Sequence, residues 1–83
     1  MIRRLEMVLA LDTHRSFQRA ARVVGVSQPA LTRALQTLEK EFGTRLFERG
    51  KAECRPTEFG RVVLARARRI LSEIAETRRE INL

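Results

Sequence analysis

A tight corner narrows what this chain can become. Ala21, Gly25 and Leu31 stand four and then six residues apart, with Val24 and Val26 flanking the glycine. Glycine accepts a left-handed backbone without steric cost, so Gly25 ends one helix and lets the chain turn at once. Ser27 follows as an N-cap for the next helix. Pro29 falls in that helix's first turn, where a missing N–H is of no consequence. Ala21 is small where two helices must cross closely, and Val26 and Leu31 close the apolar space between them. Two helices joined this tightly make either an ordinary helical hairpin or a helix-turn-helix, whose second helix is shaped for the major groove of DNA.

The rest of the chain fits around that corner. Ile2, Leu5, Val8 and Leu9 fall at helical spacing and predict an amphipathic helix from Ile2 to about Thr13. Ser16 caps a second helix with Phe17, Ala20, Ala21 and Val24 on its apolar face. Leu31, Leu35, Leu38 and Phe42 give the third helix, about 27–42, a narrow apolar stripe, and Gly43 ends it. Between Thr44 and Thr57 the helical period is lost. There Leu46-Phe47-Glu48-Arg49 reads as a short strand and Gly50-Lys51 as a turn. Cys54-Arg55 reads as the returning strand, stopped by Pro56. Thr57 caps a last helix that runs from about Glu58 to the end of the chain.

With 83 residues, of which 43% are hydrophobic and 33% charged, the chain is a single folded domain with a small core. Seventeen Lys and Arg against ten Asp and Glu leave a net charge of +7. The excess is almost all arginine, since the only lysines are Lys40 and Lys51. Such a balance points to a polyanionic partner, nucleic acid before an acidic membrane. The charge is unevenly placed: the segment from Ser27 to Phe59 is nearly neutral, and the surplus lies on the helices to either side. One cysteine (Cys54) and one histidine (His14) make neither a disulfide framework, a zinc site, nor a nucleophile–base pair that spacing can place together. No metal, cofactor or enzymatic chemistry is therefore expected. No apolar run approaches a membrane span, and charges interrupt any signal-peptide core, so the reading is cytoplasmic. With no Trp and no Tyr, few rings are available to stack unpaired bases, which favours a duplex over a single strand.

Opposite its apolar stripe, the third helix carries Pro29, Arg33, Gln36 and Lys40. Thr32 and Thr37 lie on its shoulders, and Ser27 and Gln28 project from its N-terminus. Glutamine suits adenine, arginine suits guanine, and Thr or Pro suits a thymine methyl. Free N–H groups at the helix N-terminus favour a phosphate. Gln28 and Arg33 are the expected contacts, whereas Gln36 and Lys40 also fit a merely solvated face. Arg49-Gly50-Lys51 puts two cations at a hairpin tip, suited to phosphates or a narrow minor groove. In the last helix, Val63, Ala67, Ile70, Ile74, Thr77 and Ile81 alternate by four and three residues. They form a heptad seam that Leu64 and Leu71 widen. Its first turns, Val62 to Ala67, suit the chain's own core. Further along, Ile74 and Ile81 call for a partner helix, so Val63, Ala67, Ile70, Leu71, Ile74 and Ile81 form the expected homodimer interface. The competing reading is a helical protein-interaction module whose charge only maintains solubility.

These residues resemble the N-terminal DNA-binding domain of LysR-type bacterial transcriptional regulators. The likeness is carried by Ser16-Phe17-x-x-Ala20-Ala21, by Val26-Ser27-Gln28-Pro29-Ala30-Leu31-Thr32-Arg33 and by Leu38-Glu39-x-x-Phe42-Gly43. It continues through Leu46-Phe47-Glu48-Arg49-Gly50 and ends at Thr57-x-x-Gly60. It implies a mainly α fold: a winged helix-turn-helix over 1–59, with a short β-hairpin wing, and a long linker and dimerisation helix over 60–83. It also implies that Gln28, Pro29, Thr32 and Arg33 meet double-stranded DNA from the recognition helix, and Arg49 from the wing. Two positions depart from the family pattern, Pro56 where leucine is usual and Phe59 where a small residue is common. Members carry a longer effector-binding domain, so this chain is expected to be a DNA-binding part or a short form that binds no effector itself.

Overall fold

The computed structural model describes residues 1–50 and 53–82. Helix α1 spans Ile2–His14, α2 Phe17–Val24 and α3 Gln28–Phe42; strands β1 (Phe47–Arg49) and β2 (Cys54–Pro56) form a hairpin, and α4 spans Glu58–Ile81. Each helix after the first starts on the expected hydroxyl. Ser16, Ser27 and Thr57 accept from the backbone N–H of Arg19, Ala30 and Gly60, at 3.2, 3.2 and 3.0 Å. Gly25 takes φ +74°, and the N–H of Val26 donates to the carbonyl of Ala21 at 2.9 Å, the six-to-one bond of a Schellman ending.

The core is one cluster shared by every element. Val8 and Leu11 of α1, Leu31 and Leu38 of α3, and Leu46 ahead of β1 are fully buried, with Ala20 and Ala21 of α2 and Leu64 and Ala67 of α4 closing it. Phe42 departs from the expected stripe: it is 49% exposed, because the last turn of α3 runs past the core and Leu46 fills the space instead. The packing also ignores the division at 59/60. Gly60, Leu64 and Ala67 belong to the same core as the first three helices, and the boundary falls inside the first turn of α4. Beyond Ala67 no residue of α4 is buried, and the longest dimension of the whole molecule, this helix included, is 45 Å.

The hairpin pairs Phe47 with Pro56, Glu48 with Arg55 and Arg49 with Cys54. The first strand begins one residue later than the apolar run suggested, and Pro56 ends the second strand rather than stopping it short. The register explains why proline is accepted. Gly50 N–H donates to Glu53 O, and Thr57 N–H to Leu46 O. Because hydrogen-bonded and non-hydrogen-bonded pairs alternate, Pro56 and Cys54 occupy the latter, with their nitrogens turned away from β1. Cys54 uses its outward N–H on the carbonyl of Arg15, at 3.2 Å; proline has none to satisfy. Phe59 sits exposed beside the base of the wing, while the next residue, Gly60, makes the close approach. Neither departure from the family pattern disturbs how the wing is seated.

Candidate nucleic-acid interface

Helix α3 supplies the main surface. Ser27, Gln28, Pro29, Arg33 and Gln36 are exposed along it, and Thr32 is half-buried on its shoulder. Several of these residues line shallow grooves, in one of which Arg33, Gln36 and Arg45 meet. On the wing side, Gln28 shares a shallow cleft with Phe17, Gln18, Arg49 and Gly50. Thr32 and Gln36 share a second one with Phe17, Arg45 and Arg49. Arg33 also lines a groove with Met1, Arg3 and Arg4 at the start of α1. Lys51, the other expected wing cation, lies outside the described residues.

Three contacts fix this frame. Glu39 turns one carboxylate oxygen, Oε2, onto the N–H groups of Leu46 and Phe47, at 2.8 and 3.4 Å, which ties the first wing strand to the recognition helix. Thr57 donates its hydroxyl to the carbonyl of Arg45 at 2.7 Å, which ties the loop before the wing to the start of α4. Asp12 receives Arg68 of α4 at 2.8 Å and lies 3.2 Å from Arg15, joining α1, α4 and the turn before α2. Arg15 itself adopts a left-handed conformation (φ 56°) and donates its Nε to the carbonyl of Asp12.

The electrostatics separate structural cations from free ones. Arg3, Arg15, Arg55, Arg68 and Arg79 each sit within ion-pair distance of a carboxylate. Among the described residues Arg4, Arg33, Arg45 and Arg49 form no such pair, and all four line the grooves beside α3. Sequence reasoning missed Phe17, Arg4 and Arg45 as parts of this surface. Arg45 carried a signal, a lone cation in the loop just before the wing; Phe17 carried none beyond its place on an apolar face. Cys54 is buried in β2, and burial pushes its thiol above the ordinary value, against the opposing pull of a backbone hydrogen bond and of Arg15 and Arg49. No helix is long and apolar enough to cross a membrane, and no group of potential metal ligands occurs among the described residues.

In α4, Ala67, which the sequence places both on the seam and among the first turns suited to the chain's own core, is only 1% exposed and taken up by that core, with Val63 half-buried beside it. Ile70 and Ile81 are 44% and 57% exposed, and Leu71 and Ile74 are half-buried along the same helix.

A glycine-cornered helix pair, a two-stranded wing tied to the second helix and unpaired guanidinium groups around it define a winged helix-turn-helix DNA-binding domain. Residues 2–61 match the model of the bacterial regulatory helix-turn-helix proteins of the lysR family, and the chain belongs to that family. It is 47% identical over 74 residues to the small neutral protease regulatory protein of Streptomyces coelicolor, covering 89% of this chain and 23% of that protein. It is 40% identical over 81 residues to the HTH-type transcriptional regulator GbpR of Azospirillum brasilense, covering 98% and 24%. The chain thus spans about a quarter of the length of these relatives, which by name are regulators and not enzymes. Among solved structures it is similar to the CbnR DNA-binding domain in complex with DNA. There the TM-score is 0.93 and the identity 32%, with 99% of this chain and 94% of that one covered. It is likewise similar to the BenM DNA-binding domain on its catB site, with a TM-score of 0.93, 30% identity and 99% and 91% covered.

Proposed function

We propose that this chain reads double-stranded DNA by sequence, with α3 in the major groove and the wing on the backbone or in the adjacent minor groove. The proposal includes its action as the DNA-binding part of a transcriptional regulator, in the bacterial cytoplasm where the DNA lies. One observation carries it: Gln28, Pro29, Arg33 and Gln36 stand exposed on the capped helix α3, flanked by guanidinium groups of Arg4, Arg45 and Arg49 that pair with no carboxylate among the described residues. Bidentate or forked side chains on α3 supply base discrimination, and Arg4, Arg45 and Arg49 supply phosphate affinity. The likeness to CbnR and BenM domains solved on DNA supports the same reading.

The exposed apolar residues of α4 support a homodimer through that helix, with Ile70, Leu71, Ile74 and Ile81 as its contacts and Val63 at its edge. Two heads related by a two-fold axis would then read two half-sites. Selection of bound sequences from a random duplex pool tests the DNA reading. A recovered two-fold consensus is the expected outcome, and equal affinity for every duplex across a salt series would sink it.

A further inference from the structure

The guanidinium of Arg49 lies over the ring of Phe17, 4.1 Å from the ring centroid. Phe17 opens α2 directly after its cap, is half-buried and packs against the core; Arg49 is exposed at the end of β1. Both line the cleft whose other wall carries Thr32 and Gln36 of α3. The acidic groups nearby are engaged elsewhere. Glu53 pairs with Arg55 at 3.1 Å, and Glu39 holds the N–H groups of Leu46 and Phe47. Glu48 precedes Arg49 on the strand, where successive side chains point to opposite faces.

We propose that Phe17 is a positioning residue for Arg49, a platform that holds its guanidinium toward the cleft between α3 and the wing, ready for DNA phosphate. This rests on the reading above that Arg49 touches DNA. A carboxylate in the place of Phe17 would neutralise the cation and occupy its donors. An aromatic face attracts the cation through its quadrupole and takes up none of the N–H groups at the guanidinium edge. Ordering a long side chain before DNA arrives also removes part of the entropic cost of binding. A leucine at position 17 would keep the apolar packing and lose only the platform.

A double-mutant cycle decides the matter, using anisotropy titrations of the chain against a random-sequence duplex, with a thermal melt of each variant. Phe17→Leu is expected to weaken binding about threefold, the size of an exposed cation–π contact. Phe17→Tyr should restore it, and Phe17→Leu should add no loss in the Arg49→Ala background. Should Phe17→Leu lose its cooperative melt, Phe17→Met takes its place in the cycle. Equal losses in both backgrounds, or a tyrosine variant as weak as the leucine one, would assign Phe17 to packing alone and overturn the inference. If Arg49→Ala binds like the parent chain, the wing reading fails and the inference fails with it.

Discussion

Arg33 stands on the exposed flank of α3 near its capped N-terminus, and Arg49 stands on the wing across the cleft. Both are unpaired cations among the described residues, yet their surroundings assign them different work. Arg33→Ala is expected to cost ~1–3 kcal/mol on a selected duplex and to relax preference at one base pair, as competition titrations would show. Arg49→Ala should weaken all duplexes alike and reduce the slope of log affinity against log salt by about one. Cys54 makes a third prediction, with a sign that can be worked out. Its thiol, raised by burial, keeps its proton to higher pH in the folded chain than in the unfolded one. Stability from that proton is complete below the ordinary value of 9.0 and is lost as pH rises through it toward the folded value. Melts above that pH should fall more steeply for the parent chain than for Cys54→Ala. Native Cys54 should also alkylate slowly, and rapidly once urea unfolds the chain. A place beside the capped N-terminus of the helix pointed to Arg33, and the basic hairpin tip to Arg49. The platform under Arg49 was hidden, because Phe17 reads in the sequence only as one more apolar position on α2.

At the scale of elements, the seat of the wing depends on one residue without a side chain. A Cβ at Gly60 would overlap the carbonyl oxygen of Leu46 and lie 2.9 Å from its carbonyl carbon, which is backbone and cannot swing aside. Gly60→Ala should therefore destabilise the chain by ~1–3 kcal/mol, the usual range for forced overpacking, and lower the melting temperature. Loosening of the wing should follow and appear as faster amide exchange at Phe47 and Thr57. The helices were legible because caps and stops are local chemistry: Ser16, Ser27, Thr57 and Gly25 act within a few residues of their own position. The wing was less so. Whether proline ends a strand or joins it depends on which pairs of the ladder carry hydrogen bonds, and that register is set by Leu46, Thr57, Gly50 and Glu53 acting together. Phe42 failed as a core residue for a similar reason, since helical spacing says which face is apolar and not where the core stops.

At the scale of the molecule, α4 is the element left without enough to pack on. Its 24 residues would extend about 36 Å at helical rise, yet its last buried residue is Ala67. Beyond that point a second copy of the same helix is the proposed cover. Sedimentation across micromolar concentrations should show a dimer for the parent chain and a monomer for a variant carrying Ile74→Lys and Ile81→Lys. A monomer in both cases would remove α4 as the interface of this chain. The four helices, the tight corner at Gly25, the basic surplus and the polar face of α3 were already legible in the order of residues, because periodicity, capping and charge are short-range or additive properties. Two further matters emerged only from the packing. It seated Gly60 against the backbone of Leu46 and set the ring of Phe17 beneath Arg49. Each depends on residues far apart in the chain meeting in space, and the +7 charge becomes an interface only where such meetings leave guanidinium groups unpaired.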